Sequence, residues 1–199
     1  MNKDLLIIFI KNPILGKVKS RLAATVGPEK ALAIYHQLLH RTQKVTQNLP
    51  VDKALYYADF IPEKDSWDTA VYTKYLQVTG DLGQRMEQAF QQGFSDNYNR
   101  ICIIGSDCYE LSSEIIKQAF RRLEDKDVVI GPAEDGGYYL LGLTQHQPFL
   151  FQNKHWSTES VLLDTLQDVK EKNLSVTLLP TLTDVDEEKD LVTMQFVKS

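Results

Sequence analysis

The sequence predicts an α/β fold, with one domain over residues 1–199 and a mainly parallel sheet. Short apolar runs of strand length alternate along the chain with longer segments of helical periodicity. Several of these runs are apolar at successive positions, as expected for strands covered on both faces. No repeat, low-complexity tract or linker interrupts the series, and 199 residues can bury a full core.

Composition narrows the class of protein further. The formal net charge of -5 argues against binding to nucleic acid through overall attraction. Cys102 and Cys108 are the only cysteines, and their spacing suits neither zinc nor redox exchange, so we expect both thiols to be reduced. The first apolar run, residues 5–10, is too short for a membrane span and has no cleavage site behind it. These observations predict a cytoplasmic protein without membrane contact.

Each element has a local signal. Strands are predicted at residues 5–10, 54–58, 75–78, 101–104, 127–130, 138–143 and 174–179. Helices are predicted from Pro28 to about Gln47, from within residues 79–86 through Phe90, from the serine cap in residues 111–116 to about Leu123, and from Ser157 or Thr158 to about Val169.

Acidic residues follow three of the predicted strands. The fourth strand ends at Gly105-Ser106-Asp107, where the ligand crevice of an open α/β sheet lies. Asp135 follows the fifth strand, and Asp184 and Asp186 follow the last one. Carboxylates at one edge of the sheet could hold Mg²⁺ or Mn²⁺ together with substrate phosphates. Two of these clusters have alternative interpretations from the local sequence. Residues 135–136 would also suit a plain hairpin turn, and residues 184–188, taken alone, are more typical of a solvated helix start.

Basic residues cluster in the loop after the first strand. The candidate anion contacts are Lys11, Gly16, Lys17, Lys19 and Arg21, with Arg85 added near the start of a later helix. Such a loop could wrap a phosphate chain, because glycine lets backbone N–H groups approach and the cations neutralise its charge. A solvated basic loop is the alternative interpretation. The loop has neither a Walker P-loop nor a GxGxxG spacing.

Five segments, taken together, resemble a known bacterial family. They are residues 9–22, 80–86, 105–108, 131–142 and 184–191. The family is of the GT-A type and was formerly a domain of unknown function. Its members are now labelled as glycosyltransferases, and in some genomes they are linked to arsenosugar biosynthesis. It is similar in fold to the nucleotidyltransferases of molybdopterin and phospholactate.

The resemblance implies a nucleotide-diphospho-sugar transferase fold, a three-layer α/β/α sandwich around a mixed sheet. It implies a glycosyltransferase that uses a nucleotide-diphosphate sugar, Mg²⁺ or Mn²⁺, and a small-molecule acceptor. Asp107 takes the place of the DxD metal carboxylate, although only one aspartate is present there. The basic loop would contact the nucleotide, and Asp135, with Gly136 and Gly137, would face the sugar or acceptor. Asp135 would serve as general base in an inverting reaction.

Two other functions remain open at this stage. A nucleotidyltransferase would use an intact NTP and a phosphorylated small molecule, and it would release pyrophosphate. In that case Lys19 and Arg21 would hold the triphosphate, and Asp107 and Asp186 the metal. A nucleotide-binding partner without catalysis is the third possibility. The donor, the acceptor and the oligomeric state are not predicted.

Overall fold

Seven strands form one mixed sheet in this computed structural model. It describes residues 3–196, so residues 1, 2 and 197–199 of the predicted domain lie outside it. The strands are β1 (Asp4–Ile10), β2 (Asp52–Tyr57), β3 (Thr73–Leu76), β4 (Arg100–Ile104), β5 (Val128–Pro132), β6 (Tyr138–Leu143) and β7 (Val176–Leu178). The helices are α1 (Ser20–Val26), α2 (Pro28–Thr46), α3 (Leu82–Ser95), α4 (Ser113–Arg122), α5 (Val161–Glu171) and α6 (Thr193–Phe196).

The strand order places several strand ends at one edge of the sheet. The order is β3-β2-β1-β4-β6-β5-β7. The β1–β2, β1–β4, β2–β3 and β5–β7 pairs are parallel, whereas β6 is antiparallel to both β4 and β5. Because β6 runs in the opposite direction, its first residues lie beside the last residues of β4 and β5. The turn between β5 and β6 therefore shares an edge with the loops after β1 and β4.

Helices cover both faces of the sheet, which gives the three-layer α/β/α arrangement. Alternate residues of β1 enter two separate cores, with Leu6 and Ile8 on one face and Leu5 and Ile7 on the other. The first core also takes apolar residues of α1, α2 and α4, and the second takes those of α3 and α5. The predicted α/β class and its mainly parallel sheet are confirmed.

Helix boundaries differ from the sequence predictions in two places. The basic loop ends in a short helix, α1, that its lysine-rich sequence did not predict. Helix α5 is preceded by Ser160 rather than Ser157 or Thr158, because residues 155–160 are used in a turn that packs on the β5–β6 connection. Helix α3 begins with a full capping box between Asp81 and Gln84.

Within residues 3–196, no helix combines the length and apolar character needed to cross a bilayer.

Candidate functional site

A cleft of about 780 Å³ lies at the edge where β1 and β4 end and β6 begins. Its lining includes eight of the candidate residues from the sequence: Lys11, Lys19, Arg21, Arg85, Asp107, Asp135, Gly137 and Asp186. The cleft thus brings together cations and carboxylates that are far apart in the chain.

The ammonium group of Lys19 lies between two of these carboxylates. Its Nζ atom is 2.6 Å from Asp107 Oδ1 and 3.0 Å from Asp186 Oδ1. The Lys19 side chain is only 5% exposed, whereas those of Asp107 and Asp186 are 42% and 39% exposed. Arg21 approaches the second oxygen of Asp186 from the solvent side, at 3.7 Å.

The segment after β7 brings Asp186 to Asp107. Strand β7 lies at the edge of the sheet, three places from β4 in the strand order. The chain then follows the end of β5, where Leu182 N–H donates to Pro132 O at 3.1 Å. It reaches the loop after β4 with a 2.9 Å hydrogen bond from Val185 N–H to Asp107 O. The two carboxylates therefore meet because one loop crosses the sheet edge.

The charges of this cluster shift the pKa values of Asp184 and Lys19. Burial, together with the nearby charges of Asp107 and Asp135, raises the pKa of Asp184 to about 8. Burial by itself lowers the pKa of Lys19, but the charges of Asp107 and Asp186 outweigh it and leave the pKa above its ordinary value. Asp107 and Asp186 flank one buried ammonium, and the raised pKa of Asp184 beside them favours its protonated, neutral form.

The chemistry of these donors suits a divalent cation. Asp107 and Asp186 offer half-exposed carboxylate oxygens, which are the ligands that Mg²⁺ and Mn²⁺ prefer. Over residues 3–196, no group of three or more His, Cys, Asp or Glu side chains is placed to hold a metal ion. One or two carboxylates completed by substrate phosphates and water are an ordinary way for a protein to bind Mg²⁺. The residues present therefore fit a metal shared with a phosphorylated ligand.

Tyr35 of α2 joins two loops beneath the cleft. Its hydroxyl accepts a 2.8 Å hydrogen bond from Lys11 N–H, donates to Lys11 O at 3.1 Å, and lies 3.3 Å from Ser106 Oγ. The side chain is 2% exposed. Burial and the charge of Asp107 raise the pKa of Tyr35, so the hydroxyl stays protonated. Tyr35 thus fixes the loop after β1 against the residue that precedes Asp107.

The turn between β5 and β6 forms another wall. Asp135 Oδ1 accepts a 2.9 Å hydrogen bond from Gly137 N–H, which closes the turn. Gly136 has a φ of +85°, and a Cβ atom there would lie 2.2 Å from Glu159 O. The glycine therefore lets residues 155–160 pack on the turn. This packing places Trp156 in the cleft wall.

Three candidates from the sequence do not line the cleft. Gly16 and Lys17 lie in an exposed turn closed by a 3.0 Å hydrogen bond from Lys17 N–H to Ile14 O. Gly136 packs against the backbone of residue 159 and does not line the cleft. Their expected ligand contacts stay predictions.

Sequence reasoning missed the contribution of Tyr35 and Ser106, and it did not decide whether Tyr138 and Trp156 line the site. Tyr35 falls on the apolar stripe of α2, where it is indistinguishable from its aliphatic neighbours. Tyr138 lines the cleft, and its hydroxyl is buried without a hydrogen-bond partner among the described residues. No local signal marks these residues, because their roles depend on other loops.

The fold is of the nucleotide-diphospho-sugar transferase type. The sequence profile of the family described as "Uncharacterized protein conserved in bacteria (DUF2064)" matches residues 41–158, and the chain belongs to this family. No curated protein sequence matches the chain significantly.

Solved structures agree with this assignment. A protein from Desulfovibrio desulfuricans G20, provisionally named a nucleotide-diphospho-sugar transferase, is 32% identical, with a TM-score of 0.89 over 98% of this chain and 87% of that one. The 4-diphosphocytidyl-2C-methyl-D-erythritol synthase of Anaerococcus prevotii is 8% identical, with a TM-score of 0.61 over 96% and 94%. A Mycobacterium tuberculosis H37Rv protein in complex with manganese is 10% identical, with a TM-score of 0.55 over 97% of each chain. The last two similarities concern the fold alone.

Proposed function

We propose that the protein is a transferase that binds a nucleotide-diphosphate sugar with Mg²⁺ or Mn²⁺ and passes the sugar to a small-molecule acceptor. The observation that carries this proposal is the meeting of Asp107 and Asp186 in a cleft that also contains Arg21 and Arg85. Carboxylates can hold Mg²⁺ together with substrate phosphates, and guanidinium groups bind phosphates through paired hydrogen bonds, so this combination suits a nucleotide diphosphate. The similarity to the Desulfovibrio desulfuricans protein supports the same class of ligand.

In this proposal the residues divide into three groups. Asp107 and Asp186 hold the metal, which offsets the negative charge that develops on the leaving diphosphate. Arg21 and Arg85 contact the phosphates. Arg85 already donates from Nε to Gly80 O at 2.9 Å, which orients its remaining N–H groups. Asp135 has one oxygen engaged by its own turn, and its other oxygen can accept the proton of an acceptor hydroxyl in an inverting reaction.

A nucleotidyltransferase is the second candidate, and one observation favours it. The two carboxylates that converge come from different strand ends, Asp107 after β4 and Asp186 after β7, instead of from one DxD loop. In this reaction Arg21 and Arg85 would hold the triphosphate of an NTP. A phosphate of the second substrate would attack the α-phosphorus, and pyrophosphate would leave.

A thermal-shift panel separates these candidates. Wild-type protein is melted with UDP-, GDP-, ADP- and TDP-sugars and with UTP, GTP, CTP and ATP, each with and without Mg²⁺ or Mn²⁺. A ligand at about 100 times its Kd adds roughly 2.7 kcal/mol to the free energy of unfolding, which raises Tm by several degrees. Metal-dependent stabilisation by one nucleotide sugar supports glycosyl transfer. Stabilisation by an NTP alone, followed by pyrophosphate release, supports nucleotidyl transfer, and binding without turnover of any donor supports a binding protein.

Asp107→Ala tests the site itself. We expect this variant to lose the metal-dependent part of the shift. Asp125→Ala is the matched control, because Asp125 is exposed in the turn after α4, outside the cleft. Unchanged metal and nucleotide affinity in Asp107→Ala would overturn the proposed site.

A further inference from the structure

Lys19 lies where a cation bound to Asp107 and Asp186 would lie. Its ammonium contacts one oxygen of each carboxylate, at 2.6 and 3.0 Å. A divalent cation shared by the same two oxygens would lie about 2.0–2.6 Å from each of them. The ammonium nitrogen and such a metal ion therefore cannot occupy this position together.

The backbone of Lys19 supports a special role for its side chain. Lys19 has φ 50° and ψ 48°, a left-handed conformation that costs a residue with a Cβ atom free energy. Strained conformations of this kind persist where the surroundings hold them, often at ligand clamps and switch regions. The strain is accompanied by burial of a charged side chain, since Lys19 is 5% exposed whereas Lys17, two residues earlier, is exposed.

We infer that Lys19 is a resident counter-cation, which occupies the cation position between Asp107 and Asp186 and is displaced when a divalent metal binds there. This inference rests on the proposed function, because it takes Asp107 and Asp186 as the metal ligands. It adds a metal-free state to the role that the sequence suggested, in which Lys19 contacts the nucleotide phosphates. In the metal-bound state the released ammonium becomes available to a phosphate carried by the metal.

The inference makes metal and lysine competitors. Removing the ammonium removes the competitor, so Lys19→Met should bind Mn²⁺ more tightly than wild type in the absence of nucleotide. We expect the Kd for Mn²⁺, measured by electron paramagnetic resonance of the free ion, to fall at least about tenfold. Lys17→Met is the matched control, since it removes the same charge from an exposed position of the same loop. Solvent screens that charge, so its Kd should stay within about twofold of wild type. A Kd for Lys19→Met that is unchanged or higher overturns the inference.

Lys19→Asn repeats the measurement in case the methionine variant does not fold. Asparagine tolerates the left-handed conformation and is too short to place a group between the carboxylates. We expect the same tighter binding of Mn²⁺.

Lysine footprinting of the wild-type protein tests the displacement directly. Acetylation with and without saturating Mg²⁺ is mapped by mass spectrometry, with Lys17 as the internal reference. We expect Lys19 to be protected without metal and modified several times faster with Mg²⁺, because the ammonium leaves its two partners. Continued protection of Lys19 at saturating Mg²⁺ overturns the inference even if Lys19→Met binds Mn²⁺ tightly, since metal and lysine would then coexist.

Asp107→Asn distinguishes failure of this inference from failure of the proposed function. Loss of Mn²⁺ binding in this variant, together with unchanged binding in Lys19→Met, keeps the metal site and rejects the displacement. Mn²⁺ binding that is absent from wild type or unaffected by Asp107→Asn rejects the metal site itself, and the inference with it.

Discussion

Two tyrosines line the cleft with buried hydroxyls, and they should respond in opposite ways to removal of those hydroxyls. The Tyr35 hydroxyl has three hydrogen-bond contacts, with Lys11 N, Lys11 O and Ser106 Oγ. The Tyr138 hydroxyl is buried and has no partner among the described residues. Both substitutions, Tyr35→Phe and Tyr138→Phe, remove one oxygen and keep the ring. The comparison therefore isolates the hydrogen bonds from ring packing.

The expected change in the free energy of unfolding follows from the hydrogen bonds that each substitution removes. Each hydrogen bond is worth about 0.5–1.5 kcal/mol net, and water cannot easily replace a hydroxyl on a side chain that is 2% exposed. We expect Tyr35→Phe to lower the free energy of unfolding by about 2–3 kcal/mol, with Tm lower by roughly 5–10 °C for a chain of this length. Tyr138→Phe removes an unsatisfied polar group, so its stability should be unchanged or up to about 1 kcal/mol higher.

Urea unfolding followed by circular dichroism measures both variants against wild type. Nucleotide binding gives a second readout for Tyr35→Phe, because the loop after β1 and Ser106 lose their common anchor and affinity should fall. Equal stability losses in the two variants would refute the assignment of Tyr35 as the residue that joins these loops. A loss confined to Tyr138→Phe would do so as well.

Two further predictions concern the turn between β5 and β6 and the pairing of β5 with β7. Gly136→Ala should cost at least about 2 kcal/mol in urea unfolding, because its Cβ would meet Glu159 O at 2.2 Å with a φ of +85°. Gly105→Ala, whose Cβ meets nothing within 4 Å, should stay within about 0.5 kcal/mol, and equal losses would contradict this account. Hydrogen bonds from Ser175 Oγ and N–H lower the pKa of Asp127 in the folded protein. The Asp127 carboxylate therefore stabilises the fold at pH values above its pKa in the unfolded chain. This contribution is lost as pH falls through its lower pKa in the folded protein. Asp127→Asn should therefore lose less stability than wild type between about pH 5 and pH 2, and identical pH profiles would show that the carboxylate contributes nothing.

The helix and strand pattern was predictable because it is encoded locally. Strands are indicated by apolar runs of four to six residues, and helices by the periodic apolar stripes of α2 and α4. Serine and proline mark helix starts. Helix α1 escaped prediction because it is only seven residues long and carries little periodicity. The expectation of a single domain stays a prediction.

The candidate site was predictable only in its parts. Asp107 could be singled out because it lies in the loop just after a strand of four apolar residues, and strand ends are where ligands bind in such sheets. Lys17 and Lys19 could not be told apart, since both are lysines of one loop. The structure separates them by burying Lys19 between two carboxylates and leaving Lys17 exposed.

The sequence by itself determined the fold class, the acidic strand ends and the basic first loop, because short stretches of neighbouring residues are enough to indicate each of them. The tertiary structure decided which of these groups meet. Lys19 and Asp186 are 167 positions apart, and they pair because the segment after β7 crosses the edge of the sheet to reach the end of β4. That crossing depends on the strand order and on the reversed direction of β6, which are set by packing of the whole chain.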